Sequence, residues 1–459
     1  MKQTFLIVIA ALIFFVSCGT EDDGDTGNTG ETEDTDETGD AEEIDSEEDS
    51  DDSADNTGTE DGDVSESEET PDLPAFEDED LLPPPSDSFL IQWGSGESDY
   101  VNDVAVSDNG EIFVTGGMID DVSGLPEIFL ASFSVEGTLL WMHQIKSGEY
   151  SFGNRIALDS QGNIFVAGKA NGSMDDAQSE KGDILLVKYS KNGTPEWIRQ
   201  WGASDDYEMA NGVAVDSEDN IFVTGAMTAE SEGCLNVFLA KYKTDGTKMW
   251  IKQWGTEVDK RGEDIVIDGN DNIFVLGTWE LEADVFLAKY TTDGAEIWKK
   301  QWGTDGNNIL KLMALDNDGN FFIAGEMFPD MGGSTSVEKR DINGELLWRR
   351  SIPGSTTYVN NKGTSVAVDM NGNVFVTGYT AADLGDNINA GNYDAYLVKF
   401  GNDGKAIWGK LWGTFLPENG NGVAVDSNGN VVVAGKTDGN LTDAPTVDGK
   451  MFLLSIKSQ

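Results

Sequence analysis

"YTTDGAEIWKKQWG", Tyr290 to Gly303, reads as a strand end, a tight turn and a returning strand. Forty-eight residues upstream the chain has "YKTDGTKMWIKQWG", from Tyr242, and 53 residues before that "YSKNGTPEWIRQWG", from Tyr189. A hairpin rewritten at a steady spacing marks a repeat architecture, in which each unit buries its apolar face against the next.

Aligning on the glycine that ends "IFVTG" gives Gly116, Gly168, Gly225, Gly277, Gly325, Gly378 and Gly435, with spacings of 48 to 57 residues. That range fits propeller blades, and no 3.6-residue apolar period runs through the units, so helix is disfavoured. Each unit holds four short β-rich runs. In the fourth they are "DIVID" (Asp264–Asp268), "IFVLG" (Ile273–Gly277), "DVFLAKY" (Asp284–Tyr290) and "EIWKKQWG" (Glu296–Gly303). "TDG" is a hairpin turn whose glycine supplies a positive φ. Trp298 and Trp302 lie four residues apart and so share one strand face.

Eleven of the twelve tryptophans obey that register. Trp141, Trp197, Trp250, Trp298, Trp348 and Trp408 fill the first slot, and Trp93, Trp201, Trp254, Trp302 and Trp412 the second. Residues recurring at a fixed register are expected to pack each unit on its neighbour. The seventh unit stops on its third run, "MFLLSIKSQ", while an orphan closing run, "SFLIQWG" (Ser88–Gly94), precedes the first. Pairing the two would close a ring and remove its open edges. The expected fold is all-β, a seven-bladed β-propeller of four-stranded antiparallel blades over residues 88–459.

"VAVDSQGNIFVAG", "VAVDSEDNIFVTG", "VAVDMNGNVFVTG" and "VAVDSNGNVVVAG", each leading toward a "W..QWG"-like run or the chain end, resemble the SBBP repeats of bacterial surface and secreted proteins. The resemblance spans Phe89 to Lys457 and implies a propeller fold and export; it implies no activity.

The N-terminus carries an address. Lys2 is followed by an apolar run, Phe5–Val16, too short for a membrane span and suited to a secretory signal. Phe15-Val16-Ser17-Cys18 resembles a bacterial lipobox, with Phe15 where an aliphatic is usual. The resemblance implies cleavage between Ser17 and Cys18, lipid on Cys18 and a signal peptide over residues 1–17. Cys18 and Cys234 are the only cysteines, so a lipidated Cys18 would leave the folded domain without a disulfide. Gly19, rather than Asp, after the cysteine points by the same resemblance to the outer membrane or cell surface.

Between Gly19 and Asp87 lie 31 acidic residues and no basic one. Such a stretch buries too little apolar surface to offset its ordering entropy, so residues 18–87 are expected to be a disordered acidic tether. A coil of that length would hold the domain roughly 45 Å from a bilayer. Residues 88–459 have 54 acidic against 28 basic residues, within a formal charge of −56 for the whole. That sign repels phosphate backbones, so no nucleic-acid partner is expected. A monomer is expected.

Chemistry is harder to find. The aspartates that end each first run (Asp159, Asp216, Asp268, Asp316, Asp369, Asp426) invite a calcium reading, but the loop lacks the EF-hand glycine and glutamate positions. A turn-building role is preferred, and no cofactor or metal is expected. His143 is the sole histidine, which removes His-based triads and multi-His zinc sites. No catalytic residue is assigned. Variable loops, the longest being Lys169–Asp183 and Tyr379–Asp394, share one rim, where function tends to reside. Trp279 breaks the tryptophan register in "GTWELEAD", read as a loop. It and Tyr379 and Tyr393 are the candidate ligand-binding residues, with capping of blade four as the other reading of Trp279. The expected function is an exported, lipid-anchored binding or scaffolding module for protein or glycan. The alternatives are a carboxylate-based glycosidase or lyase on the loop rim and an envelope-assembly lipoprotein.

Overall fold

A computed structural model describes residues 81–94, 99–174, 183–202, 208–228, 234–255, 259–279, 284–303, 309–327, 334–352, 361–442 and 450–457. Ser17 and Cys18 lie outside the described residues, as do most of the expected tether and part of the Lys169–Asp183 loop.

Seven four-stranded antiparallel sheets succeed one another along the chain. Six pair their strands in chain order, from an inner strand to an outer one. Blade four, for example, uses Lys260–Ile267, Ile273–Trp279, Asp284–Tyr290 and Glu296–Trp302. The seventh sheet takes Glu418–Val425, Val431–Thr437 and Met451–Ile456 from the C-terminal end and Asp87–Trp93 from the N-terminal end. Leu90 stands opposite Leu454 and Trp93 opposite Met451. The ring closes as the strand count predicted.

The core lies between blades rather than within them. Seven apolar clusters are each shared by two neighbours. One joins Phe274, Leu287 and Trp302 of blade four to Leu310, Met313 and Ile323 of blade five. Another joins Leu453 and Met451 of blade seven to Val101 and Phe129 of blade one. Second and third strands are therefore covered on both faces and begin as continuous apolar runs, such as Ile221–Val223, all buried. Outer strands alternate, with one face on the neighbour and one in solvent.

The repeated hairpin is the weld between neighbours. Trp298 lies against Phe274 of its own blade, ring centroids 6.1 Å apart, and its far edge meets Gly344 in the turn of blade five. Gly294 has φ 75°, and a methyl group there would stand 2.9 Å from the Trp250 ring of blade three. The turn glycine thus answers two demands, a left-handed backbone and room for the preceding tryptophan. Trp197 and Trp348 add indole hydrogen bonds to the carbonyls of Thr244 and Asn402 in those turns, at 3.1 and 3.0 Å. Trp302 is more deeply placed than Trp298, at 8% exposure, and stacks under the Arg340 guanidinium of blade five at 3.6 Å. Blade three shows the usual form of this contact, with Trp254 against Tyr290 of blade four.

The six aspartates build turns. Asp268 accepts hydrogen bonds from the N–H groups of Asn270 and Asn272 and from the Asn272 side chain, and Asp159 and Asp426 accept the corresponding set. The last residues of the expected tether are described. Residues 81–86 run along blade six, where Leu82 donates to the Ile407 carbonyl at 2.8 Å, and Lys410 pairs with Asp87 at 2.7 Å. Proline-rich by composition, this segment is held by backbone and charge contacts that no strand pattern announces. Cys234 is buried; Cys18, the only other cysteine and the expected lipid site, lies outside the described residues.

Candidate functional site

All seven inner strands carry a bulge at one repeated position. Pairing skips Asn102, Asn154, Asn211, Glu263, Lys311, Thr364 and Asn421, one residue per blade. A bulge re-aims the residue it adds, and these seven all line a cavity of about 280 Å³ in the central channel. Lys362 and Gly363 also line it, at the start of the blade-six inner strand, so it opens toward the rim that bears the variable loops.

Five of the seven positions stitch the ring. Asn102 donates to the Gly153 carbonyl at 2.8 Å, Asn154 to Ala210 at 2.8 Å, Asn211 to Gly262 at 2.9 Å and Asn421 to Val101 at 2.6 Å. Thr364 donates to the Gly420 carbonyl. Each bond reaches the next blade. Glu263 has no donor to offer and instead accepts from the Thr278 hydroxyl at 2.8 Å. Lys311 turns its amine toward Glu263, at 4.0 Å. Beyond it Lys362 faces Glu326 at 3.8 Å. Burial pushes the Glu326 carboxyl up, opposed by the Lys362 and Lys311 charges. An alternating arc of carboxylate and amine therefore spans blades four to six at the mouth.

Deeper in the channel the residue after each bulge faces the next inner strand. Asp103 accepts from Ile156 N–H at 2.9 Å and Asp264 from Met313 N–H at 2.8 Å. Arg155 lies between these two carboxylates, 3.9 Å from Asp264. Burial raises both; for Asp264 the value reaches about 6, with Arg155 and the N–H groups of Met313 and Ile265 pulling it down and Asp103 pushing it up. The unfolded value is near 3.9, so the folded chain binds this proton more tightly. The resulting stabilisation is present below about pH 4 and lost as pH rises through about 6. Asp264→Asn, neutral throughout, is therefore expected to gain about 2–3 kcal/mol on the parent between pH 4 and pH 8. Urea unfolding at both pH values checks this; a constant gap would mean a solvated carboxyl.

The expected ligand residues fall in two places. Tyr379 and Tyr393 come together, with ring centroids 5.4 Å apart at 76°. Tyr379 pairs across from Lys362 and feels the Glu326 charge, so this pair borders the arc. Trp279 sits two blades away. It is the last residue of a strand rather than part of a loop, because Lys260 opposite extends the ladder. The Lys260 amine lies 3.7 Å above its ring and Lys299 lies 5.9 Å away, and the ring packs on the cluster shared by blades three and four. The bulge residues themselves went unassigned in the sequence. Their signal was present, since position 263 holds Glu and 311 Lys where four other repeats hold Asn.

The opposite rim has a larger cavity, about 850 Å³, lined by turn residues including Asp159, Asp216 and Asp219. Those carboxylates are committed to N–H groups of their own turns or of the preceding blade. The loop-side mouth is the better candidate.

Three stretches, residues 140–173, 196–226 and 352–385, match the SBBP β-propeller repeat. The chain carries SBBP repeats. Each matched stretch starts on an outer strand and crosses into the inner and second strands of the following blade, so an SBBP repeat straddles the junction that the tryptophans weld. Among curated proteins, an uncharacterized WD repeat-containing protein, L264, of Acanthamoeba polyphaga mimivirus is 24% identical over 398 residues, covering 71% of this chain and 27% of that protein. The regulatory protein FlaEY of Caulobacter vibrioides is 23% identical over 188 residues, covering 37% of this chain and 19% of that protein. The chain thus spans about a quarter or less of the length of these relatives. Among solved structures, the Pan2 WD40 domain of Neurospora crassa is similar with a TM-score of 0.48 and 12% identity, over 82% of this chain and 98% of that one.

Proposed function

We propose that this SBBP propeller is an exported, lipid-anchored binding module that captures a protein or glycan at the cell envelope, on the loop-bearing rim over the channel mouth. A propeller is a rigid display scaffold, and its function resides in what the scaffold presents. One observation supports the site: the bulge ring stitches blades with Asn or Thr at five positions and departs from that role at Glu263 and Lys311, beside Lys362 and Tyr379. Restoring asparagine at both, as Glu263→Asn with Lys311→Asn, is expected to keep the melting temperature and abolish capture of ligand from surface extracts or a glycan array. Capture that survives in a folded double variant would sink the site.

The anchor has its own test. Cys18→Ser is expected to move the protein out of the membrane fraction or to block processing. A thioether on Cys18 and a disulfide through Cys18 exclude each other, since its sulfur forms one or the other, so the intact mass of the mature chain decides. A Cys18→Ser chain that stays membrane-bound at the parent's mature mass would refute lipid attachment.

A further inference from the structure

We infer that the ligand at the channel mouth carries a carboxylate on a polyhydroxylated body: the terminal uronate of an acidic saccharide. This rests on the reading above and names its ligand class. The formal charge of the chain is −56, yet the mouth cavity is lined by Arg155, Lys311, Lys362 and Glu263, with the carboxylates of Glu326, Asp103 and Asp264 set behind them. The amines stand forward, with side-chain exposures of 46% for Lys311 and 35% for Lys362, while Glu263 and Glu326 are recessed at 9% and 11%. Their separations of 4.0 and 3.8 Å are at the outer limit of an ion pair. An ammonium has three donors, so each retains donors for an incoming carboxylate. The Debye length is about 8 Å in physiological salt, so the acidic surface beyond that distance is largely screened at these amines.

The neighbouring asparagines supply the opposite character. Their amide N–H groups are directed at backbone carbonyls of the next blade, so the amide oxygens of Asn102, Asn211 and Asn421, which line the cavity, are the ends available as acceptors. Hydroxyl groups suit such acceptors, and forward amines suit a carboxylate. The volume of about 280 Å³ lies at the small end of ligand sites, which usually span about 300–1,000 Å³, and so fits one terminal residue.

The mature full-length chain can be titrated calorimetrically with digalacturonate and trigalacturonate, with their methyl esters, and with a blocked peptide bearing a free C-terminus. The expected result is binding of the free acids alone, weakened about tenfold or more by Lys311→Met and by Lys362→Met at unchanged melting temperature. Equal affinity for the esters, undiminished binding by the Lys311→Met/Lys362→Met double variant, preference for the peptide, or no uronate binding would each overturn the inference. If uronates fail while Glu263→Asn/Lys311→Asn still abolishes capture from extracts, only the ligand class falls. If that capture is also unaffected, the proposed site falls with it.

Discussion

Deleting Asp87–Trp93 is expected to cost on the order of 3–6 kcal/mol and to turn a soluble ring into an aggregating one. The segment contributes Phe89, Leu90, Ile91 and Trp93, all half-buried against blades seven and one. Full burial of such side chains is worth roughly 1.5–3 kcal/mol each, and half of that is taken here. The loss compares with a total domain stability of about 5–15 kcal/mol. It also bares the edge of Met451–Ile456, whose exposed backbone groups would template pairing with another chain. Thermal unfolding and light scattering of the deletion read both effects. A variant melting with the parent, without scattering, would show that some other contact closes the ring.

Trp302→Ala is the largest expected effect of a single substitution, about 3–5 kcal/mol from lost burial and the cavity left behind. The indole is at 8% exposure at the junction of blades four and five and faces Arg340, itself buried at 1%. Removing the ring strips a buried guanidinium of its cation–π partner while leaving its ion pair with Glu338 at 2.9 Å. Trp302→Phe separates the contributions. The Trp302 indole N–H has no hydrogen-bond partner among the described residues, so phenylalanine forfeits volume but no hydrogen bond. It is expected to cost under half as much. The half-buried Trp298 should likewise lose less on truncation than Trp302. Equal denaturant midpoints for Trp302→Ala and the parent would overturn this assignment.

The blades could be read from sequence because their signals are local and repeated. A tryptophan every four residues on one run, a turn glycine and an Asx turn each act within a single hairpin, and seven copies fix the count. The site was not readable in the same way. Asn211 and Lys311 occupy the same repeat position, but nothing in a linear pattern says that this residue is the bulged one, since the bulge is a mismatch between two strands. Glu263 and Lys311 look like ordinary surface charges until the ring places them side by side. Trp279 reads as loop because it follows the glycine that ends the second run, whereas an extra ladder step opposite Lys260 makes it strand. Arg340 shows the limit most plainly: where blades two, three and four carry Tyr189, Tyr242 and Tyr290, a charge is buried by Trp302, Glu338 and the Gly344 carbonyl.

Ring closure also orders events in time. The strand that completes blade seven is made first and ends at Trp93, while its partner begins at Met451, so a ribosome or a translocation pore releases the two some 360 residues apart. Each intermediate blade can form from adjacent hairpins as it emerges, but the lock waits for the last strand. Contacts of such long sequence separation are slow to form and leave sticky edges exposed meanwhile. A chain paused partway is therefore an open arc that can still be threaded, and only the finished chain becomes a closed body.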